Sequence, residues 1–402
     1  MAIKVCVKFA PWQITKISMI ALKHFFVVLN FISIFEDAMK IKELTDYLEQ
    51  IAPLSLQESY DNAGLLVGDP STEITGVLLC LDSTEEVIAE AVQTGCNLVI
   101  AHHPIIFSGL KKLNGKNYIE RTVISAIRNN IAIYAAHTNL DNVRNGVNRK
   151  IAETLGLSGL EILSPKKNLL RKLVTFCPHD KAEIVRSALF DAGAGGIGNY
   201  DSCSFNVPGT GTFRGNDQTK PYVGSPGKLH EEAETRIEVI YEKWMESAIL
   251  KALRSSHPYE EIAYDLYSLE NDHVQTGSGM IGSLSQPLQA REFLEIVKKT
   301  MKTACIRHTS LINKKIEKVA VCGGSGSFLL SDAIRAGAQA FITADYKYHQ
   351  FFDAENRILI TDICHYESEQ FTIELFRDLI LKKFSTFAVR LTGVNTNPVH
   401  YF

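Results

Sequence analysis

The sequence lacks several patterns that are typical of common protein classes. Its eight cysteines form no CxxC pair, which argues against a cysteine-based zinc site or a disulfide framework and favours reduced, buried thiols in a cytosolic protein. A net charge of −3 offers no basic face for nucleic acid or an anionic membrane. The apolar run over residues 25–35 is interrupted by Asn30 and Ser33 and is too short for a membrane span. We therefore expect neither a nucleic-acid partner nor a membrane partner.

The first 38 residues differ in pattern from the rest of the chain. Met39 offers a second start, and an amphipathic helix follows it over residues 41–51. We expect residues 1–38 to be an extension outside the fold, included through an upstream start. A weak membrane anchor and a signal peptide are the alternatives, although only Glu36 and Asp37 follow the apolar run, and no small-residue cleavage site does.

The remaining length and patterning indicate an α/β protein of several domains. The chain has 402 residues, of which 46% are hydrophobic and 22% charged, as in globular proteins with two or three domains. Short apolar strands alternate with amphipathic helices in both halves, which predicts largely parallel sheets covered on both faces. The predicted strands span residues 77–81, 98–101 and 131–136 in the first half and 319–322, 341–343 and 358–361 in the second.

The two halves resemble each other. Cys80 aligns with Cys322 and Gly95 with Gly337 at the same spacing, and each half continues to a His-x-x-x-carboxylate segment. This ordered set predicts a diverged internal duplication, and hence a two-lobed α/β domain. Residues between the halves follow a β-α-β-β-α-β pattern, which predicts an inserted ferredoxin-like α+β domain. The predicted domains are an extension (1–38), a first lobe (39–167), the insert (168–275) and a second lobe (276–402).

Three short segments at predicted strand ends carry side chains that bind metals. Parallel strands bring their carboxyl ends to one edge of a sheet, where open α/β proteins bind ligands. Taken alone, each segment also fits a solvated loop or a helix cap, but together they supply enough imidazoles and carboxylates for two divalent ions. Zn, Mn, Fe, Co and Ni all suit such ligands. The predicted ligands are His102, His103, His137, Asp141, His365 and Glu369.

Further candidates lie beside this set. Asp345 and His349 follow another strand and are candidates for proton transfer or for supporting the ligands, with a helix cap and a surface histidine as the alternative. The turn formed by Gly323, Gly324, Ser325 and Gly326 is a candidate phosphate site, although it lacks the lysine of a P-loop and also fits an ordinary tight turn. His257, in the predicted insert, fits a structural loop better than a ligand or subunit interface.

Six motifs together resemble the NIF-three-like dinuclear-metal family, also labelled GTP cyclohydrolase 1 type 2 homologues. They are residues 60–68 (YDNAGLLVG), 101–107 (AHHPIIF), 137–141 (HTNLD), 323–326 (GGSG), 343–349 (TADYKYH) and 365–369 (HYESE). The resemblance covers residues 39 to about 390, and the family's metal ligands fall on the six residues chosen from spacing. The departures are Tyr60, where the family usually has Trp, and Ala344 and Cys364, where it usually has Gly.

The resemblance implies a homohexamer with two divalent ions per chain and, for members with an insert, a PII/CutA-like domain. It favours a cytoplasmic, metal-dependent hydrolase that acts on a small molecule such as a nucleotide. The alternative is a non-catalytic metal-handling or regulatory protein in which the insert senses a ligand. Nothing in the sequence specifies guanine, so GTP is only the family's label.

Overall fold

The computed structural model describes residues 39–402, so the predictions for residues 1–38 lie outside the described part of the chain. The helices are α1 (Ile41–Ile51), α2 (Glu85–Thr94), α3 (Tyr118–Arg128), α4 (Thr138–Asp141), α5 (Val147–Thr154), α6 (Ala182–Asp191), α7 (Glu246–Ser256), α8 (Ala290–Thr300), α9 (Leu330–Arg335), α10 (His365–Glu369) and α11 (Thr372–Lys383). Short 3-10 helices span Leu54–Leu56, His179–Lys181, Lys243–Met245, Ser327–Leu329 and Tyr348–Ala354.

The strands form three separate sheets. They are β1 (Gly64–Val67), β2 (Val77–Cys80), β3 (Leu98–Ala101), β4 (Ala132–Ala135), β5 (Ser158–Lys166), β6 (Leu170–Pro178), β7 (Ser204–Phe213), β8 (His230–Glu242), β9 (Tyr264–Leu269), β10 (His273–Leu288), β11 (Arg307–His308), β12 (Ile316–Ser325), β13 (Ala340–Ala344), β14 (Leu359–Asp362) and β15 (Val389–Leu391). This mixture of helices and sheets confirms the predicted α/β class.

The first sheet has the strand order β1-β4-β3-β2-β15. Its strands β15, β2, β3 and β4 run parallel, and β1 pairs antiparallel with β4. Helix α2 follows β2 because Thr84 caps the backbone N–H of Val87 and because Ile88 and its apolar neighbours are buried. Gly95 ends α2 in the left-handed conformation, with φ 71°, as the sequence pattern predicted.

The second sheet has the strand order β11-β14-β13-β12-β10-β5. Its central strands β12, β13 and β14 are parallel, whereas β10, β5 and β11 pair antiparallel at the edges. Strand β5 comes from the predicted first lobe, and β15 of the first sheet comes from the predicted second lobe. Each of these two sheets therefore includes an edge strand from the other predicted lobe. Strand β15, near residue 390, pairs in this way with β2, near residue 78.

The two sheets share one hydrophobic core. Leu79 and Ile100 of the first sheet belong to the same buried cluster as Val321 and Ile342 of the second. Residues of α1, α5, α8 and α11 complete this cluster, among them Leu44, Ile151, Phe293 and Phe376. Burying each such side chain stabilises the fold by about 2 kcal/mol, so the shared core sets the relative position of the two sheets.

The third sheet has the order β7-β8-β6-β9 and is antiparallel throughout. Helices α6 and α7 bury Val185, Leu189 and Leu253 against it, in a core of its own. The element order is β-α-β-β-α-β, as the sequence pattern predicted for this region. The likeness to PII and CutA proteins and the domain boundaries stay predictions. Within residues 39–402, no helix is long and apolar enough to cross a membrane.

Candidate metal site

The six predicted ligands lie together where β3, β4 and β14 end. His102 and His103 directly follow β3. His137 follows β4 and immediately precedes α4, whose last residue is Asp141, and His365 and Glu369 are the first and last residues of α10. Three overlapping groups have their ligand atoms within 4.8 Å of one another, namely His102 with His103 and His137, His103 with His365 and Glu369, and His102 with Asp141 and Glu369. The described residues thus contain groups that could hold a metal ion.

The two adjacent histidines converge because the chain turns at the end of β3. The backbone N–H groups of His102 and His103 both donate to the carbonyl oxygen of Leu81, at 3.2 Å and 2.9 Å. Their ring centroids are 4.9 Å apart. In a regular strand these side chains would point to opposite faces, so the turn is what brings both rings into one cleft.

Each of the four imidazoles is held through its Nδ1 atom. The partners are the carbonyl oxygen of Ala136 for His102 (2.9 Å), Asp82 for His103 (2.7 Å), Asp61 for His137 (2.8 Å) and Asp345 for His365 (2.7 Å). Such contacts fix the ring orientation and tautomer of histidines that bind metals. Since Nδ1 is occupied in every ring, Nε2 is the atom left for an ion.

Glu369 lies at the centre of the cluster. Its Oε2 atom is 3.0 Å from Nε2 of His103 and 3.1 Å from Nε2 of His365. We call these two histidines the outer group. Its Oε1 atom is 3.7 Å from Nε2 of His102. The same Nε2 atom is 3.7 Å from Oδ1 of Asp141. We call His102 and Asp141 the deep group. The two oxygens of one carboxylate therefore face two sets of side chains. His137 lies beside both His102 and His103.

The deep group contains polar atoms that nothing in the described chain satisfies. Nε2 of His102 and Oδ1 of Asp141 are buried and have no hydrogen-bond partner among residues 39–402. Leaving a buried polar atom without a partner costs about 1–3 kcal/mol. Two such atoms aimed at each other across 3.7 Å fit a cation that binds both.

The charges of the cluster compensate one another in the ion-free chain. Burial opposes the imidazolium form, but Asp82 and Glu369 outweigh it and raise the pKa of His103 to about 9. Burial is likewise outweighed at His365, where Glu369 and Asp345 raise the pKa to about 11. Burial and the charge of Glu369 raise the pKa of Asp141 to about 7. These shifts follow from opposite charges packed close together, and a divalent ion that bound the same groups would release protons.

Short helical turns give the two His-x-x-x-carboxylate segments their geometry. The N–H of Asp141 donates to the carbonyl of His137 at 3.1 Å, so residues four apart share one face. Before α10, Cys364 has φ 70° and ψ 158°, a conformation that is normally restricted to glycine. Glycine, which the sequence resemblance implied at this position, would adopt this conformation without strain.

The glycine-rich turn supports Glu369. A side chain at Gly324, where φ is +60°, would lie 2.5 Å from Oε1 of Glu369. The backbone N–H groups of Gly323, Gly324 and Gly326 already donate to Asn148, Ser368 and Thr343. None of these three N–H groups is therefore free to donate a hydrogen bond to an anion. We therefore assign the turn to close packing against Glu369, and the phosphate role that the sequence suggested has no support from this geometry.

The structure separates the two predicted catalytic residues. Asp345 lines the cleft and holds His365, which keeps the pKa of the Asp345 carboxyl below its usual range. Asp345 is therefore suited to orient a ligand. His349 is exposed in the 3-10 helix Tyr348–Ala354, where its ring contacts Tyr348 and Phe352 and lies outside the cleft. His349 is not among the residues that line the cleft, so this position gives no support to the catalytic role that the sequence suggested.

Sequence reasoning missed two carboxylates that orient ligands, Asp61 and Asp82. Asp61 is within the motif at residues 60–68, and Asp82 follows β2, so the strand-end rule that located the ligands would also have located Asp82. His257 is buried and bonds to the carbonyl of Phe176 at 3.0 Å, which is the structural loop role that the sequence favoured.

The ligands open into a cleft of about 780 Å³, a size that accommodates a small molecule. The exposed rings of Tyr60 and Phe107 stack at its edge with their centroids 6.2 Å apart, and the exposed ring of Phe328 also lines it. The half-exposed guanidinium of Arg307 also lines the wall, where it pairs with the buried carboxylate of Asp362. The cleft thus combines flat apolar surfaces with an arginine–carboxylate pair.

Comparison with known proteins gives consistent matches over nearly all of the described chain. A family model described as Duf34/NIF3 (NGG1p interacting factor 3) matches residues 39–398. A protein of Halalkalibacterium halodurans named GTP cyclohydrolase 1 type 2 homolog is 42% identical over 307 residues, which are 76% of this chain and 82% of that protein. A Bacillus subtilis protein of the same name is 38% identical over 314 residues, 78% of this chain and 84% of the relative.

A solved structure has the same architecture. The crystal structure of a Bacillus cereus protein related to NIF3 superimposes with a TM-score of 0.78 at 35% sequence identity. The match covers 91% of this chain and 100% of that one. The similarity therefore extends over the two sheets that carry the ligands and over the third sheet between them in sequence.

Proposed function

Since this chain belongs to the Duf34/NIF3 family, as its motifs predicted, we propose that it is a dinuclear metal-dependent hydrolase that acts on a nucleotide or another phosphate-containing small molecule. The observation that carries the proposal is the pair of Glu369 oxygens. One faces the deep group and the other faces the outer group, as a carboxylate that bridges two ions must. A protein with a single ion would need only one of these groups.

The side chains fit two divalent ions in number and kind. The deep group contributes an imidazole and a carboxylate, the outer group contributes two imidazoles, and Glu369 serves both. His137 lies within reach of either group and completes one of them. Imidazole and carboxylate ligands suit Zn, Mn, Fe, Co and Ni, so metal availability decides among these ions.

Two bound divalent ions would supply Lewis acidity, which lowers the pKa of water and stabilises negative charge on an oxygen under attack. The chain's own residues prepare the site for this chemistry. Asp82, Asp61 and Asp345 hold three imidazole rings in place, so little reorganisation accompanies binding. The guanidinium of Arg307 pairs with the buried Asp362, and its half-exposed N–H groups can still donate hydrogen bonds to a substrate at the cleft wall.

The edge of the cleft supports a substrate with a flat ring. Tyr60 and Phe107 present a stacked pair of rings, and aromatic faces attract planar ring systems. GTP is the first compound to test, because the relatives bear the name GTP cyclohydrolase 1 type 2 homolog. The homohexamer, the cytoplasmic location and the PII-like role of the third sheet are carried by family resemblance and stay proposals.

Metal content and turnover measured on the same samples test the proposal. Wild type, His102→Ala and the control His349→Ala would be purified identically, analysed for metals and assayed with GTP and other nucleotides. We expect about two ions per chain in wild type and in the control, and loss of metal together with turnover in His102→Ala. Unchanged metal content in His102→Ala would overturn the ligand set. Two ions without hydrolysis of any nucleotide or phosphoester would support the alternative, a non-catalytic metal-handling protein.

A further inference from the structure

The last residues of the chain return to the cleft. After β15 pairs with β2 at the edge of the first sheet, the N–H of Thr392 donates to the carbonyl of Leu79 at 2.9 Å. The N–H of Gly393 donates to Glu90 at 2.9 Å. Four of the residues that follow line the wall of the cleft, namely Asn397, Pro398, Val399 and Tyr401. We call residues 392–401 the C-terminal strap.

One hydroxyl group of the strap contacts the carboxylate that orients His103. Thr396 donates from Oγ1 to Oδ2 of Asp82 at 2.7 Å. The other oxygen of Asp82, Oδ1, contacts Nδ1 of His103 at 2.7 Å. Each oxygen of the carboxylate thus has one partner, and the hydroxyl restrains the plane of the carboxylate that orients His103.

The three carboxylates that orient imidazoles are held in different ways. Asp61 is buried and accepts hydrogen bonds from the hydroxyl and the N–H of Thr138, the residue next to His137. Asp345 has no hydrogen-bond partner other than His365 within residues 39–402. Thr138 lies 77 residues from Asp61 but next to the histidine that Asp61 orients, whereas Asp82 is held by Thr396, which lies 314 residues further along the chain and beside no ligand. The orientation of His103 therefore depends on where the C-terminus lies.

The same strap contacts the helix that carries the other outer ligand. Nδ2 of Asn397 donates to Oε1 of Glu367 at 3.3 Å, and Glu367 is buried in α10 between His365 and Glu369. Consecutive residues of the strap thus contact the orienting partner of one outer ligand and the helix of the other. A displaced strap would release both.

We propose that Thr396 and Asn397 of the C-terminal strap support the metal site and that Thr396 is a positioning residue for the ion at the outer group. This inference rests on the proposed two-ion function and goes beyond it, because it makes the affinity of one ion depend on the C-terminus. Loss of a group that orients a ligand typically weakens metal binding by about 10–100-fold. The deep group makes no contact with Thr396 or Asn397 and keeps its ion when the strap is altered.

Equilibrium titration of the metal-free full chain with Co²⁺ tests the inference, with the visible absorption of bound Co²⁺ as a second readout. Thr396→Val removes the hydroxyl at nearly constant volume, and Thr396→Ser keeps it. Thr392→Val is the matched control, because it removes another hydroxyl of the strap, one that contacts Glu90 and not Asp82. We expect Thr396→Val to weaken one of two binding steps by about 10-fold. Thr396→Ser and Thr392→Val should bind both ions as wild type does.

A double-mutant cycle checks that Thr396 acts through Asp82. If it does, Thr396→Val and Asp82→Asn affect the same binding step, and their effects are not additive. Wild-type affinity for both ions in Thr396→Val would overturn the inference and leave the proposed function intact. An equal loss at both steps, with a lowered unfolding temperature, would also overturn it, since it would indicate general loosening. A wild-type chain that binds no ion would instead refute the proposed function.

Discussion

The deep and outer groups of the metal site differ in burial and in what holds them. The side chain of His102 is 0% exposed and rests on a backbone carbonyl of its own sheet, whereas that of His365 is 41% exposed and rests on the exposed Asp345. His102 thus belongs to the protein interior and His365 borders the cleft, whereas Asp141 of the deep group and His103 of the outer group are equally exposed, at 21% each. If two ions bind as proposed, the ion held by His102 would exchange more slowly than the ion held by His365.

The largest effect is expected from removing the residue that the two groups share. Glu369→Gln replaces the carboxylate proposed to serve both ions by an amide that cannot serve two ions equally. We expect both affinities to fall by more than about 100-fold, the upper end of what loss of an orienting partner costs. Titration with Co²⁺ or Zn²⁺ measures this.

Glu367→Gln is the matched control for Glu369→Gln, because Glu367 is buried in the same helix but is not a ligand. It should retain both ions. If only one ion were lost in Glu369→Gln, Glu369 would belong to one group and the comparison of two groups around one carboxylate would fail.

Ion release should follow the difference in burial. When the ion-loaded protein is mixed with excess chelator, we expect two phases of about one ion per chain each. The fast phase belongs to the outer group, which faces the cleft, and the slow phase to the deep group. His365→Ala should abolish the fast phase and preserve the slow one. A single phase that releases both ions together would remove the kinetic distinction between the groups.

The orienting carboxylates allow a finer comparison. Asp61→Asn and Asp345→Asn each weaken the hold on one imidazole, and we expect a loss of about 10-fold in the affinity of one ion in each case. The Asp61 side chain is 0% exposed, and the hydrogen bonds from His137 and Thr138 hold its pKa at about 2 against burial. Asp61→Asn should therefore also lower the free energy of unfolding by about 1–3 kcal/mol.

Asp345→Asn is the counterpart of Asp61→Asn, because the Asp345 side chain is exposed. This substitution should weaken metal binding with little effect on the free energy of unfolding. Denaturant unfolding of both variants without metal separates the two effects. Equal destabilisation would show that the carboxylate at the exposed position also supports the fold.

The smallest effect concerns the strained backbone beside the outer group. Cys364→Gly should raise the free energy of unfolding by about 1 kcal/mol, because glycine adopts φ 70° and ψ 158° without the clash of a side chain. Denaturant unfolding measures it, and metal affinity should stay unchanged. Asn356→Gly is the control, since Asn356 has φ 56° in the region that asparagine tolerates. An equal gain in both variants would argue against particular strain at Cys364.

The clustering of the candidate ligands was predictable because the rules that locate them are local. An apolar strand that ends in a polar side chain directs that side chain to the sheet edge, and residues four apart share a helix face. His102, His137 and Glu369 follow from these rules alone. The helix of residues 85–94 and its end at Gly95 were predictable for the same reason, since capping acts over a few residues.

Other features could not be predicted because they depend on distant segments. The exchange of β5 and β15 between the sheets depends on which edges remain open after the core has formed. The backbone N–H groups of the glycine-rich turn seemed available to an anion. In the structure, the side chains of Asn148 and Ser368, which belong to other elements, accept hydrogen bonds from two of them. His349 has the spacing of a functional residue, yet the 3-10 helix turns it away from the cleft.

The sequence by itself determined which side chains are candidates for binding metal, because strand ends and helical spacing follow from nearest-neighbour geometry. Only the tertiary structure decided how they are divided. The shared core brings the ends of β3, β4 and β14 together and leaves Glu369 between the deep and the outer group. It also brings Thr396 to Asp82 across 314 residues, a contact that no local pattern encodes, because packing and not spacing along the chain sets the distance between remote segments.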